Sequence, residues 1–151
     1  MQPNILILQG SPRPHGNTVT FLHPFEEELQ ACGANVESIF LYDKTIAPCD
    51  ACWTCQHVAD AYGCPKKDDM QVIFQAVCEC DVLVLATPIY TWYCTPPMKA
   101  VLDRFYGMNK YYGSAPEQRL WERIRIAIVT TCGYDIPYGA EPFETGIRRL
   151  C

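Results

Sequence analysis

A doubly wound α/β domain built on a parallel sheet is the fold class predicted for this chain, and three observations predict it. Four short aliphatic and β-branched runs, Asn4 to Gln9, Asn35 to Leu41, Asp81 to Thr87 and Arg125 to Thr131, read as strands buried on both faces. Helical patterns fall between them, which implies right-handed crossovers and ligand binding at the carboxyl ends of the strands. The turns at those ends, after Gln9, Leu41, Thr87 and Thr131, hold most of the unusual residues of the chain.

The size and balance of the chain agree with one such domain, spanning residues 1–151. An apolar share of 49% suffices for a core on both faces of a sheet. The net charge of −5 and a pI near 5.1 argue against a nucleic-acid surface, and Arg123, Arg125, Arg148 and Arg149 are too few to form one. No apolar run approaches membrane-spanning length, and the first strand starts where a signal segment would lie. A cytoplasmic protein without a membrane partner is expected. In that setting ten cysteines point to reduced thiols or ligands, not to a disulfide framework. Cys32, Cys78 and Cys80, near helix ends, read as small packing residues.

The first strand runs into Gly10-Ser11-Pro12-Arg13-Pro14-His15-Gly16-Asn17-Thr18. A strand, a small polar turn and a helix start form a seat for an anion, because free N–H groups and the positive end of the helix dipole face the turn. Ser11, Asn17 and Thr18 add short hydrogen bonds, and Arg13 adds a fork-shaped charge suited to phosphate. No Lys follows Gly16 and no Gly-x-Gly-x-x-Gly is present, so neither ATP nor NAD is favoured as a tightly held ligand. A plain turn with Asn17 or Thr18 as helix cap is the competing reading.

The helix after this loop is expected from about Thr18 to Cys32, with Gly33 past its end, Val19, Leu22, Phe25 and Leu29 on its inner face, and a kink or late start at Pro24. A second helix is expected from Asp68 or Asp69 to Glu79, and a third from Thr95 to Tyr106, with Thr95 as cap and Pro96 at the first position. Gly107 to Gln118 reads as a long surface loop.

Pro88, Ile89, Tyr90, Thr91 and Trp92 follow the third strand. An isoalloxazine ring needs apolar or aromatic walls and backbone donors, and such a turn supplies both; covering a sheet edge or a dimer contact is the alternative. After the fourth strand, the small turn Thr131-Cys132-Gly133 would let backbone approach a planar ligand, although Gly133 also suits an ordinary turn.

Gly-Ser-Pro-Arg-x-x-Gly-Asn-Thr, Pro-Ile-Tyr followed by Lys99, Asp103 and Arg104, and Cys-x-x-Cys with Asp68-Asp69-Met70 together resemble the NAD(P)H-dependent FMN reductase and iron–sulfur flavoprotein branch of the flavodoxin-like fold. The resemblance covers nearly the whole chain. It implies strand order 2-1-3-4, with the usual fifth strand and final helix missing after Cys151, so that the chain reads as C-terminally truncated and Phe143 to Leu150 as the start of a helix. It implies FMN, with its phosphate on Ser11, Arg13, Asn17 and Thr18, its ring on Pro88 to Trp92 and its far edge near Thr131 and Gly133. NAD(P)H would be a transient co-substrate. It also implies homodimers or homotetramers with contacts through helices such as Thr95 to Tyr106. Lys99 and Asp103 read as an ordinary ion pair and Arg104 as solvated. No dedicated catalytic acid or base is expected, because the flavin carries the hydride or electron.

Cys49, Cys52, Cys55 and Cys64, followed by Pro65, form a second feature at the same sheet end. Four thiolates so spaced can wrap a [4Fe–4S] cluster, and the first three have ferredoxin-like spacing. Structural zinc and a reduced, empty loop are the alternatives, and the eight-residue gap before Cys64 is longer than the compact iron–sulfur flavoprotein pattern. His57, in this loop, reads as a surface residue. Three functions follow: an FMN oxidoreductase passing electrons from NAD(P)H to a flavin, quinone or other small acceptor; an iron–sulfur flavoprotein serving a redox protein; and a flavodoxin-like structural or regulatory protein that binds FMN weakly.

Overall fold

Strand β1 (Asn4–Gln9) sits inside the sheet because its four aliphatic side chains have apolar neighbours on both sides. Leu6 and Leu8 point into one core, Ile5 and Ile7 into the other, and all four are buried. The structure, a computed structural model, describes residues 2–111 and 118–150. After β1 come α1 (Asn17–Ala31), β2 (Asn35–Phe40), α2 (Met70–Glu79), β3 (Val82–Pro88), α3 (Pro96–Arg104), β4 (Asn109–Lys110), β5 (Gln118–Arg119), β6 (Arg125–Thr131), α4 (Ile136–Gly139) and α5 (Glu141–Leu150).

The main sheet runs β2-β1-β3-β6 and all its pairings are parallel, with Leu6 opposite Leu83 and Val84 opposite Ala127. These are the four expected strands in the expected order. Leu6, Leu8, Leu83 and Leu85 pack on one face with Ile73 and Val77 of α2, Met98 and Val101 of α3, and Phe143 and Ile147 of α5. On the other face Ile5, Ile7, Val84 and Ala86 pack with Leu22 and Leu29 of α1. Truncating one of the central leucines to Ala would cost about 2–5 kcal/mol by loss of burial and the cavity left behind.

Several expectations are corrected at the periphery. β2 lies at one side of the sheet, and Asn35, Glu37 and Ser38 are exposed, so it is not a strand buried on both faces. On α1 only Leu22 of the expected inner face is fully buried, and Phe25 is exposed; Pro24 is accommodated within a continuous helix. Gly33 does follow the helix in the left-handed region, at φ 86°. Cys32 is exposed and does not pack as a core thiol, whereas Cys80 is buried. α3 ends at Arg104 and continues as a 3-10 turn over Phe105–Met108. The expected surface loop from Gly107 to Gln118 is in its described part a buried 3-10 turn and a short antiparallel pairing of β4 with β5, with Asn109 and Lys110 buried; Tyr112 and Gly113 lie outside the described residues. Among the described residues no helix is long and apolar enough to cross a membrane.

Candidate functional site

The loop after β1 is held from below by α3. Gly10 donates its N–H to the Ala86 carbonyl at 2.7 Å, and the Thr95 hydroxyl donates to the Gly10 carbonyl at 2.6 Å. A Cβ on Gly10 would lie 3.0 Å from Thr95 Oγ1 and 3.1 Å from Met98 Cβ, so this crossing of loop and helix needs glycine's small size. Thr95 is at the N-cap position as expected, but its hydroxyl makes no cap; it ties two strand ends together instead. Thr87 Oγ1 accepts the Thr95 N–H at 3.2 Å.

Above this joint, Ser11 is buried and its hydroxyl both donates to the Arg13 carbonyl and accepts the Arg13 N–H, each at 3.2 Å. Gly16 caps α1, with its N–H on the Arg13 carbonyl at 3.1 Å and no side-chain cap. Asn17 and Thr18 therefore stand in the first turn of α1, and Gly16, not either of them, is the cap. The first-turn N–H groups have no intrahelical acceptors, and the helix dipole points the same way. Arg13 and Asn17 are exposed. Thr18 is buried, with its hydroxyl 2.8 Å from that of Thr131 at the end of β6. That contact joins the first turn of α1 to the end of β6.

The turn after β3 is a tight hairpin in which Tyr90 and Tyr93 exchange both main-chain hydrogen bonds, at 2.8 and 3.1 Å. Thr91 and Trp92, at its tip, have φ of 50° and 63°. Ile89 N–H bonds the Thr131 carbonyl at 2.8 Å, and Trp92 Nε1 donates to the Tyr138 carbonyl at 3.0 Å. Trp92 stacks on Tyr134 with ring centroids 6.0 Å apart. Ile89, Thr91, Trp92, Cys132, Gly133, Tyr134 and Gly139 line a cavity of 270 Å³. A Cβ on Gly133 would meet nothing within 4 Å, so packing does not require glycine there. The cavity falls a little below the roughly 300–1,000 Å³ of small-molecule pockets and suits one end of a flat ligand. It brings Ile89, Thr91, Trp92 and Gly133 together; Pro88, Tyr90 and Thr131 flank it in the chain, and Ser11, Arg13, Asn17 and Thr18 are not in its lining. Cys132 lies within the turn expected there, whereas Gly139 of α4, which no local pattern marks, joins the lining together with Tyr134.

A second cavity, of 420 Å³, opens beside the C-terminal end of α3. Cys49, Cys52, Cys55 and Cys64 all line it, together with Trp53, Tyr106 and Arg104. Ala51 and Trp53, between the cysteines, hold left-handed φ of 55° and 63°. A zinc ion would need four donors at about 2–2.3 Å from one point. Among the described residues no group of three or more His, Cys, Asp or Glu is placed to hold a metal ion, and the four cysteines meet as part of the lining of one cavity.

Arg104 is not solvated, as expected from sequence, but buried. Its guanidinium pairs with Asp68, donates to Tyr62 Oη at 3.1 Å and to the Ala47 carbonyl at 3.4 Å, and reaches Cys64 Sγ at 3.3 Å. Burial works against its charge, but the Asp68 carboxylate, helped by Tyr62 and Cys64, outweighs burial and holds its pKa above the ordinary value. Burial likewise pushes the Asp68 carboxyl up, but bonds from Arg104 and the Ala47 N–H leave its pKa below the usual range. Lys110 is also buried, its Nζ donating to the carbonyls of Cys55 at 2.7 Å and Tyr62 at 3.3 Å. Gln56, buried beside it, donates to the carbonyls of Tyr106 at 3.0 Å and Asn109 at 2.8 Å. Burial first of all raises the Cys55 thiol. Lys99 and Asp103 form the expected half-exposed ion pair, and His57 is exposed.

Known proteins bear on both regions. The family model described as NADPH-dependent FMN reductase matches residues 3–135. An iron–sulfur flavoprotein of Archaeoglobus fulgidus is 32% identical over 159 residues, covering 93% of this chain and 71% of its own length. One of Methanocaldococcus jannaschii is 31% identical over 100 residues, covering 66% of this chain and 50% of that protein. The chain thus spans between half and about seven-tenths of these curated relatives. Among solved structures, an NAD(P)H:quinone oxidoreductase from Methanothermobacter marburgensis superposes with a TM-score of 0.71 at 20% identity, covering 99% of this chain and 75% of that one. An azoreductase from Bacillus anthracis superposes with a TM-score of 0.69 at 14% identity, over 99% of this chain and 80% of that one. At these identities the two structures establish the shared fold.

Proposed function

The chain belongs to the NADPH-dependent FMN reductase family, and from that premise we propose that it is the FMN-binding domain of an oxidoreductase that accepts hydride from NAD(P)H and passes electrons to a flavin, quinone or other small acceptor. The observation that carries the reading is the joining of three turns at one sheet end: Thr95 to Gly10, Thr18 to Thr131, and Ile89 to Thr131. Bound FMN supplies the hydride acceptor and can release electrons singly or in pairs.

The residues of the chain bind and orient. Ser11 shapes the loop by holding the Arg13 main chain, and the first-turn N–H groups of α1 with Arg13 and Asn17 receive the phosphate. Ile89, Thr91 and Trp92 form one wall for the ring, while Pro88 and Tyr90 fix the hairpin that carries them. Thr131 and Gly133 border its far edge, where the open space beside Gly133 allows close approach of backbone. Homodimer or homotetramer assembly belongs to the same proposal.

A second reading is favoured by the cysteine-lined cavity: Cys49, Cys52, Cys55 and Cys64 hold a [4Fe–4S] cluster and the domain passes single electrons to a redox protein. The relatives named iron–sulfur flavoproteins support it.

One preparation separates the readings. The chain is purified without oxygen and its visible spectrum is recorded with iron and acid-labile sulfide. Flavin bands without iron favour the first reading; about four irons per chain with broad absorbance favour the second. A colourless protein that takes up neither FMN nor iron and sulfide overturns both. For the phosphate seat, Arg13→Ala combined with Asn17→Ala should weaken FMN binding about 30-fold or more, as loss of one charged and one neutral hydrogen bond implies. Unchanged affinity in a fluorescence titration would refute that assignment.

A further inference from the structure

Two cations are buried beside the cysteine loop: Arg104, which lines the cavity, at 2% exposure, and Lys110, which is held on the main chain of Cys55, at 0%. Asp68 balances one of them. Among the described residues Lys110 Nζ bonds main-chain carbonyls and no carboxylate. The pairs at the rim, Lys66 with Asp50 and Lys99 with Asp103, are each neutral in sum. Among the described residues these buried groups thus carry one positive charge more than their carboxylates balance. An uncompensated buried cation is expensive, and it is retained most readily where an anion completes the site. Of the four cysteines, Cys64 and Cys55 are the ones these cations reach. Arg104 Nη2 already lies 3.3 Å from Cys64 Sγ, and Lys110 is bonded to the main chain of Cys55.

We propose that Arg104 and Lys110 are fixed countercharges that raise the reduction potential of an iron–sulfur cluster held by Cys49, Cys52, Cys55 and Cys64, with Arg104 donating a hydrogen bond directly to the Cys64 sulfur. The inference rests on the cluster reading given above. On reduction one electron enters from a one-electron donor, such as a reduced flavin. No bond to Cys64 forms or breaks and no proton is taken up, because the added negative charge is met by the guanidinium and the ammonium. Charge near a cluster and hydrogen bonds to its sulfurs are the means by which proteins set such potentials. Asp68 opposes the effect, since its carboxylate offsets the charge of Arg104. Arg104 and Lys110 are positioning residues that act on the electron's energy without touching a substrate.

The charges make a prediction that a purely structural clamp does not. Wild type, Arg104→Gln, Lys110→Met and Asp68→Asn are loaded anaerobically with ferrous iron and sulfide, and their midpoint potentials are read by dye-mediated titration with dithionite, followed by EPR. Arg104→Gln and Lys110→Met should each disfavour reduction tenfold or more, which is 59 mV or more downward for one electron. Asp68→Asn should shift the potential upward. A clamp broken from either side would move Arg104→Gln and Asp68→Asn in the same direction, and that result, or unchanged potentials, overturns the proposal while leaving the cluster reading intact. If Arg104→Gln does not load, the opposite shifts expected of Lys110→Met and Asp68→Asn decide alone. A wild-type chain that assembles no cluster overturns the cluster reading and this inference with it.

Discussion

Buried thiols make a measurable test of how closely individual residues are packed. Burial pushes the Cys94 thiol up to about 12 and the Cys80 thiol up to about 11, from 9.0. Both folded values are raised, so the stabilising contribution is complete below pH 9 and is lost as pH rises toward the folded values. Wild type should therefore lose stability above pH 9 by about 1.4 kcal/mol per pH unit through Cys94. The stability gap between wild type and Cys94→Ala, measured by urea unfolding, should shrink between pH 8 and pH 10; a constant gap contradicts the burial argument. The same scale contains the clearest departure from sequence reasoning. Arg104, on the same helix as the exposed pair Lys99 and Asp103 and expected to be solvated like it, turns inward because Asp68, Tyr62 and Ala47 supply acceptors for its donors. Nothing within its own helix reveals those partners.

Among elements, α3 connects the two regions. At its start Thr95 holds the Gly10 carbonyl, and at its end Arg104 reaches Cys64, about 14 Å along the axis for nine residues. Thr95→Val keeps the shape but leaves the buried Gly10 carbonyl without its hydroxyl donor. It should lower stability by about 1–3 kcal/mol in urea unfolding and weaken FMN binding although Thr95 does not face the ligand. Thr95→Ser should restore most of both. The hairpin after β3 carries a different stress: Thr91 and Trp92 occupy the left-handed region that such turns give to Asn and Gly. Thr91→Asn should raise the urea midpoint, gaining on the order of 1 kcal/mol, and leave FMN affinity little changed because the main-chain path is retained. A lower midpoint would show that Thr91 is held by contacts stronger than its strain. All four non-glycine residues at positive φ among those described, Ala51, Thr91, Trp92 and Trp53, lie in the cysteine loop and this hairpin, where strain commonly accompanies function.

At the scale of the molecule, the four strands of the sheet and the gathering of their following turns at one end were legible in the chain. Ile5 to Leu8 and Leu83 to Ala86 are continuous apolar runs, and only strands covered on both faces use such runs. β2 was read as equally buried and is not, because Asn35, Glu37 and Ser38 lie at the side of the sheet, where one neighbour is solvent. The small polar loop after β1, the aromatic hairpin and the spacing of four cysteines are contiguous in sequence, so local chemistry made them visible. The partners that give them shape are distant: Thr95 and Gly10 are 85 residues apart, Thr18 and Thr131 113, Arg104 and Cys64 40, Lys110 and Cys55 55. The amino-acid sequence by itself determined the strands, the loops at their ends and the class of ligand those loops suit, since each depends on neighbours along the chain. Only the tertiary structure decided that Arg104 and Lys110 stand behind the cysteines, because a buried charge is specified by whichever distant groups folding brings to solvate it.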